Sequence, residues 1–172
     1  GAISSPPGRG AIGIIRLSGP GIESALHPLW RGRPLPRLLD RALTLGRIVR
    51  SDGGILDEIL LARFRAPNSY TGEDMAELHC HGNPGLLSEI LKTLLSQGIR
   101  PAEPGEFTYR AFRNGRLSLL QAESVAELID SRGKWARRNA LSVLAEDGDA
   151  WVRELLDAIL AIWVPVEADL EF

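Results

Sequence analysis

Residues 66–84 read APNSYTGEDMAELHCHGNP, and this stretch decides the fold that we expect. Pro67 and Gly72 belong to a cluster of turn formers. Residues 75–81 then alternate between two faces, as in a strand with one buried side. The inner set is small and apolar and suits a core, whereas the outer set places a carboxylate between polar neighbours. The inner set is Ala76, Leu78 and Cys80, and the outer set is Met75, Glu77, His79 and His81.

The segments around this strand show strand and helix patterns in turn. Apolar runs predict further strands, and an Asp-Gly pair predicts a tight turn between two of them. Apolar residues at helical spacing predict two helices packed on the sheet. The predicted strands are residues 11–17, 42–49 and 56–64 with an edge segment at 99–102, and the predicted helices are residues 20–30 and 84–97. We therefore expect an α+β fold with one mixed β-sheet.

The pattern changes near Arg113 and is helical from there to the end of the chain. Ser118, with Gln121 three residues later, forms a capping-box pattern that begins a helix. We therefore predict two domains, residues 1–113 and residues 114–172. The second domain is expected to be a partial α-helical bundle.

Two more apolar-faced helices are predicted in the second domain, with Gly148 between them. Pro165 is expected to kink or cut the last helix, because proline removes an intrahelical hydrogen bond. The residues that mark the two helices are Ala136, Ala140, Val143 and Leu144, and then Trp151, Leu155, Ile159, Ile162 and Val166.

Composition excludes several classes of protein. The net charge of −2 gives no global attraction to nucleic acid, so any RNA contact must be local. The single cysteine excludes an internal disulfide and fits a reducing compartment. No apolar run reaches the roughly 18 residues of a membrane span. The N terminus shows no charged region followed by an apolar run, so we expect no signal peptide and a cytoplasmic location.

Glu77 and Arg16 are the candidate binding residues on strands. A carboxylate within a strand is either solvated or a ligand contact, and the residues alone favour the solvated interpretation of Glu77. Arg16 lies inside an apolar strand. The residues alone favour an edge residue whose head reaches solvent, and the alternative is a buried guanidinium that needs an anion or a carboxylate partner.

The sequence His79-Cys80-His81 does not predict a metal site. Alternation directs Cys80 away from both imidazoles, so three ligands cannot converge on the strand. We interpret Cys80 as a small core residue that lacks a base for nucleophilic chemistry. Glu73 and Asp74 follow a turn and are interpreted as solvated, with a dimer contact or a substrate role left open.

No P-loop is found in the sequence. Gly8-Arg9-Gly10 lacks the lysine and the Ser/Thr that follow the glycines of that motif, so no catalytic residue is assigned. The arginines of residues 31–41 are interpreted as solvated. A basic cluster in the helical part is interpreted as a mixed-charge helix face rather than a tRNA surface. This cluster is Arg132, Lys134, Arg137 and Arg138.

Six ordered segments carry a resemblance to a known family. They are PPGRG at residues 6–10, GIIRLSG at 13–19, PNSYTGED at 67–74, HG at 81–82, RPAEPGEF at 100–107 and QAE at 121–123. The chain resembles the MnmE (TrmE) family of tRNA-modifying GTPases. It is similar to the N-terminal domain of that family plus the first half of its helical domain. The family's P-loop and its C-terminal cysteine motif have no counterpart in this sequence.

The resemblance implies a folate-binding, dimer-forming module similar to the tetrahydrofolate domain of aminomethyltransferases. The implied ligand is 5-formyltetrahydrofolate. The implied function of the whole protein is carboxymethylaminomethyl or aminomethyl modification of the wobble uridine of tRNA. The implied partners are a second copy through the N-terminal domain, a flavin-dependent MnmG-type enzyme, and tRNA. The family's GTPase domain, which uses GTP, magnesium and potassium, would lie outside this chain.

The resemblance also implies three folate contacts, which match Arg16, Glu77 and Arg116. Arg116 replaces a common lysine and keeps its positive charge, and Ser118 replaces a common aspartate. A pterin presents its 2-amino group and its ring N3–H as parallel donors, and Glu77 is the candidate carboxylate that accepts both. The tail carboxylates would pair with Arg16 or Arg116.

Two alternatives stay open at this point. The first is an autonomous folate-dependent one-carbon transferase of the aminomethyltransferase type, which needs a catalytic carboxylate and a second substrate pocket. The second is a pure assembly module that dimerises without folate. Turnover by the purified chain would indicate the first, and a dimer without ligand binding would indicate the second.

Overall fold

A computed structural model describes residues 1–145 and 150–170 of the chain. The chain divides into two units, Gly1–Asn114 and Gly115–Phe172. The first unit contains a β-sheet with helices, and the described part of the second unit is helical. The predicted α+β class is confirmed.

The strands form one six-stranded sheet. They are β1 (Ala2–Ile3), β2 (Ile12–Ser18), β3 (Trp30–Gly32), β4 (Leu43–Val49), β5 (Ile55–Phe64) and β6 (Met75–His81). Their order is β1-β2-β6-β5-β4-β3, and neighbouring strands are antiparallel throughout. The prediction of a mixed sheet is therefore wrong. Two parallel neighbours need a crossover connection between them. Helix α1 lies in the connection from β2 to β3, but these two strands are not neighbours in the sheet, so this connection gives no parallel pair.

The region predicted as one helix at 20–30 is divided between two elements. Helix α1 covers only Ile22–Leu26, and Trp30 begins the edge strand β3. The buried Trp30 ring lies against Gly46 of β4, which has no side chain to obstruct it. Residues 99–102 form no strand, and the strand outside β2 is β1 instead. Local apolar spacing could not reveal either edge strand, because each is defined by its distant partner.

Replacing Gly46 with alanine is expected to lower the free energy of unfolding by about 1–3 kcal/mol. The reason is steric, since the new Cβ would lie 2.2 Å from Cη2 of Trp30. Urea unfolding measures the change. The matched control is Gly10→Ala, whose Cβ would have its nearest neighbour, the Ile12 carbonyl oxygen, at 3.7 Å. Equal stability of the two variants would contradict the packing of Trp30 on β4.

Helix α2 (Pro84–Leu95) covers the inner face of the sheet. It begins at a good cap, because Oδ1 of Asn83 accepts hydrogen bonds from the Gly85 and Leu86 N–H groups at 2.9 and 3.2 Å. The predicted helix and the predicted inner face of β6 are confirmed, although Met75 is buried as well. The core between α2 and the sheet contains Leu87, Ile90 and Leu94 with Ile15, Leu17, Ile59, Leu61, Ala76, Leu78 and Cys80.

The outer face of the sheet combines charged residues with exposed apolar ones. The strand register places Arg16 and Ala62 on either side of Glu77 on this face. Ile12 and Leu45 are 63% and 62% exposed there, which is unusual for large apolar side chains on a sheet. The candidate site lies on this face.

Helix α3 (Glu106–Arg113) is the last helix of the first unit. The second unit contains α4 (Leu119–Asp130), α5 (Lys134–Ala145) and α6 (Ala150–Leu170). The capping box is confirmed, because Ser118 and Gln121 exchange hydrogen bonds of 3.2 and 2.9 Å. None of the helices in the described ranges has the length and apolar content needed to cross a membrane.

Helix α6 continues through Pro165 to Leu170, so of the predicted kink or cut at this proline the cut is wrong and the kink stays a prediction. Its neighbours Val164 and Val166 are exposed, and water can therefore replace the missing intrahelical hydrogen bond. The predicted break at Gly148 and the side chain of Trp151 lie outside the described residues.

Candidate functional site

Arg16 and Glu77 face each other across β2 and β6. Nε and Nη2 of Arg16 both contact Oε1 of Glu77, at 2.8 and 2.7 Å. The side chains are 28% and 17% exposed, so the pair is largely shielded from solvent. Of the two interpretations of Arg16, the structure shows a guanidinium held by a carboxylate partner. Because both residues sit on central strands, their geometry is fixed by the sheet.

The second oxygen of Glu77 is the open part of this pair. No hydrogen bond to Oε2 is found among the described residues, and Nε2 of His79 lies 3.6 Å away, which is too far for one. A carboxylate oxygen has two lone pairs. Oε2 can therefore accept hydrogen bonds from a ligand while Oε1 stays bound to Arg16.

Two aromatic rings enclose the Arg16 head. Its Cζ lies 5.5 Å from the centroid of the Tyr70 ring and 5.6 Å from that of Phe107. Contacts of this kind attract a guanidinium to the face of a ring. The Tyr70 hydroxyl is in turn 2.9 Å from Oγ1 of Thr108, the residue after Phe107. The loop before β6 and helix α3 thus both contact the Arg16 head, and the Tyr70–Thr108 contact joins them to each other.

Glu73 connects that loop to β2 and α3. Its Oε2 accepts hydrogen bonds from Nη1 of Arg110 and Oγ of Ser18, both at 2.8 Å. Oγ of Ser18 also lies 2.7 Å from Oγ1 of Thr71. Burial acts to raise the pKa of Glu73, but the hydrogen bonds from Arg110 and Ser18 outweigh it and the pKa is lowered. The interpretation of Glu73 as a solvated residue is wrong, because its side chain is 25% exposed and Arg110 and Ser18 hold its carboxylate.

Glu106 anchors the start of α3 in the same way. Its Oε1 accepts from Nε and Nη2 of Arg110 at 2.9 and 2.6 Å, and its Oε2 accepts from Nη1 of Arg100 at 3.1 Å. The Glu103 N–H donates to Oε2 at 2.8 Å. Hydrogen bonds from Arg100, from the Glu103 backbone and from Arg110 lower the pKa of Glu106 to about 2. The ion pairs therefore fix the helix that carries Phe107.

The contribution of Glu106 to stability is expected to depend on pH. Its folded-state pKa of about 2 lies below the ordinary 4.5, so the contribution is complete above pH 4.5 and is lost as the pH falls toward 2. The stability difference between the wild type and Glu106→Gln should therefore shrink between about pH 6 and about pH 3 in urea unfolding. Glu103→Gln is the control, because it keeps the backbone N–H bond to Glu106 and changes a carboxylate that forms no ion pair among the described residues. A difference that stays constant over this range would contradict the assignment.

A family model described as "GTP-binding protein TrmE N-terminus" matches residues 1–116. The chain belongs to this family. It is 41% identical to the tRNA modification GTPase MnmE of Thermus thermophilus, over 99% of the chain and 40% of the relative. It is 46% and 44% identical to proteins of the same name from Bordetella parapertussis and Aquifex aeolicus, over 99% of the chain and 38% of each. The chain thus spans about two fifths of the length of these relatives, and the resemblance to the MnmE (TrmE) family is confirmed.

Three segments that carried the family resemblance meet at the Arg16–Glu77 pair. GIIRLSG contributes Arg16, PNSYTGED contributes Tyr70 and Glu73, and RPAEPGEF contributes Glu106 and Phe107. These segments are far apart in the chain, yet the contacts described above join them in the first unit. The TrmE-type motifs therefore converge on one place in the fold.

Beside this place, the two histidines of β6 face different carboxylates. Asp57 is 8% exposed and accepts hydrogen bonds from Nδ1 and the backbone N–H of His81 at 2.6 and 2.9 Å. His79 lies near Glu77 instead. Within the described residues, no three metal-ligating side chains converge. Burial, with the nearby Asp57 charge, raises the pKa of Cys80 to about 12, so the thiol stays protonated in the core as expected from the sequence.

Of the three residues that the resemblance marks for folate, the structure brings Arg16 and Glu77 together. Arg116 is exposed and belongs to the second unit, just before α4. Sequence reasoning missed Tyr70, Phe107 and Arg110 as parts of the site. Their roles depend on contacts between distant segments, and for Tyr70 and Phe107 membership of a family motif was the only signal.

Proposed function

We propose that this chain is the 5-formyltetrahydrofolate-binding and dimerisation portion of a protein that modifies the wobble uridine of tRNA. The observation that supports it best is the Arg16–Glu77 pair at the meeting point of the family motifs. The relatives are named tRNA modification GTPases, which supports the part that concerns tRNA. Hydrolysis of GTP, with magnesium and potassium, is assigned to the portion of the relatives that this chain does not span.

Glu77 suits a pterin because of how its two oxygens are used. The 2-amino group and N3–H of a pterin are parallel donors, and a carboxylate accepts such a pair in a bidentate manner. Oε2 is available for one donor, and Oε1, which already contacts two nitrogens of Arg16, would accept the second donor only if one of those contacts gives way. Arg16 then has a positioning role, because two of its nitrogens already contact Glu77. Arg116 is the remaining cation proposed for a carboxylate of the folate tail.

A groove of about 370 Å³ on the outer face adds to this argument. Ligand pockets generally fall between about 300 and 1,000 Å³ and combine apolar walls with a few polar groups. His79, which neighbours Glu77 on the strand, is one of its lining residues. The apolar lining includes Ile12, Leu43, Leu45 and Leu60. Glu77 does not itself line the groove, but Nε2 of His79 lies 3.6 Å from Oε2 of Glu77. The groove would therefore offer a wall for a flat ring next to the carboxylate.

The proposed dimer uses the first unit, residues 1–113 in the domain division that we propose. Exposed apolar side chains around the groove on the outer face, such as Leu43 at 56% exposure, would be covered by a second copy, so the groove would lie at the proposed dimer interface. Helix α6 exposes a further apolar surface, which we assign to the C-terminal helical half of the relatives. The exposed residues are Leu155, Ile159, Ile162, Trp163 and Val166. A flavin-dependent MnmG-type enzyme is the proposed partner of the full-length protein.

Thermal unfolding with 5-formyltetrahydrofolate tests this proposal. A ligand that binds only the folded state stabilises it by about 2.7 kcal/mol at a hundred times its Kd. We expect the melting temperature to rise with ligand concentration and light scattering to show a dimer. If the chain forms a dimer whose melting temperature does not change with folate concentration, the result indicates a pure assembly module. One-carbon transfer by the purified chain would instead indicate an autonomous transferase.

A further inference from the structure

The edge of the sheet beyond β4 carries three arginines. We call Arg31, Arg33 and Arg37 the basic edge. Arg31 belongs to β3, the outermost strand. Arg33 follows in the next loop, and Arg37 ends the short 3-10 helix Leu35–Arg37. All three are exposed, and among the described residues none of them forms an ion pair. The nearby carboxylates of Asp40 and Glu58 are paired with other arginines. In a chain of net charge −2, the basic edge is a local excess of positive charge.

The loop of the basic edge is fixed by its backbone. Nε1 of Trp30 donates a hydrogen bond to the Arg33 carbonyl oxygen at 2.8 Å. The buried Arg63 guanidinium donates to the carbonyl oxygens of Leu35 and Leu38 at 2.7 and 2.5 Å. The backbone positions are therefore set before any partner binds. A preordered surface loses less conformational entropy on binding than a mobile loop does.

The basic edge also includes a charge arrangement that the sheet does not need. Arg31 lies directly opposite Arg47 in the β3–β4 register. Like charges at opposite positions destabilise a strand pair, and Glu58 compensates only Arg47, at 3.2 Å. Charged residues do protect exposed sheet edges from aggregation. That role does not require two further unpaired arginines in a fixed loop outside the strand, which suggests an external anion.

We propose that the basic edge contacts the phosphate backbone of tRNA. The choice of RNA rests on the proposed role in tRNA modification. Guanidinium groups bind phosphates through two parallel hydrogen bonds. Nη1 of Arg31 already donates to the carbonyl oxygens of Pro28 and Trp30, both at 3.0 Å, so its phosphate contact would use Nε and Nη2. Phosphate contacts position a nucleic acid and do not read its sequence. The basic edge thus orients the tRNA, and recognition of the target base lies elsewhere.

Binding of an unmodified tRNA transcript to the 172-residue chain tests the proposal, with fluorescence anisotropy at several salt concentrations. The triple variant Arg31→Gln, Arg33→Gln, Arg37→Gln is expected to bind about tenfold more weakly at roughly 0.1 M salt. The slope of log affinity against log salt should fall by about 2 to 3. Lysine at the same three positions keeps the charge and should stay within about threefold of the wild type.

The control triple is Arg132→Gln, Arg137→Gln, Arg138→Gln, which removes the same charge from the second unit. It is expected to change affinity by less than about twofold. Thermal unfolding checks that each variant is folded. Three results would overturn the proposal. The Arg31/Arg33/Arg37 variant could bind as tightly as the wild type, or the control triple could lose as much affinity. The third is that the wild type does not bind at roughly 0.05 M salt. Folate titration of the same samples is independent, so a failed folate site and a failed RNA surface give different results.

Discussion

Replacing Arg63 with methionine is expected to lower the free energy of unfolding by about 3 kcal/mol, the lower end of the range for breaking a buried ion pair. The Arg63 side chain is 6% exposed and contacts Asp40 at 2.9 Å and Glu23 at 2.8 Å. It also donates to two backbone carbonyls of the loop after β3. Methionine fills the space but leaves those carbonyls without a donor. The lower end applies because the two carboxylates are 41% and 43% exposed and can rehydrate.

Arg65→Met is the matched control for Arg63→Met. Arg65 is two residues away, is 55% exposed, and lies 3.7 Å from the same Asp40. Its replacement should change stability by no more than about 0.5 kcal/mol. Lysine at position 63 should recover only part of the loss, because an ammonium cannot reproduce the guanidinium fork. Equal effects of Arg63→Met and Arg65→Met in urea unfolding would show that Arg63 does not hold the loop.

Replacing Glu77 with glutamine is expected to weaken binding of 5-formyltetrahydrofolate by at least about a hundredfold, or about 2.7 kcal/mol. Glutamine has the same shape but one acceptor oxygen, and its NH₂ group would face a donor. It also removes the charge that holds Arg16.

Glu89→Gln is the control for Glu77→Gln. Glu89 is a carboxylate of helix α2 that is 46% exposed and contacts Arg50, and it does not line the groove. We expect its replacement to leave folate affinity within about twofold of the wild type. If Glu89→Gln reduces affinity as much as Glu77→Gln does, the ligand is attracted by general charge and the pterin assignment fails.

Much of the fold could be predicted because its signals are local. The alternation of residues 75–81 fixed which side of β6 faces the core, since a strand has a period of two. Asn83 followed by Pro84 marked the start of α2 for a similar reason. These patterns depend only on neighbours in the chain.

The parts that sequence did not predict depend on distant contacts. Trp30 forms a strand because β4 offers a partner and Gly46 leaves space for its ring. Arg63 has the pattern of an ordinary strand residue until its carbonyl partners in the loop are known. Arg16 and Glu77 are 61 residues apart, so their pairing became visible only in the sheet register. Family motifs marked the segments of the site, but not which side chains touch.

Isothermal titration of the wild-type chain with 5-formyltetrahydrofolate tests the central claim most directly, with a pterin that lacks the p-aminobenzoylglutamate tail titrated in parallel. We expect saturable heat with one site per chain for the full ligand. The tail-less pterin should bind with lower affinity, because in the proposed site Glu77 would bind the ring and a cation would bind the tail. A folded dimer that gives no heat with either ligand at millimolar concentration would contradict the account.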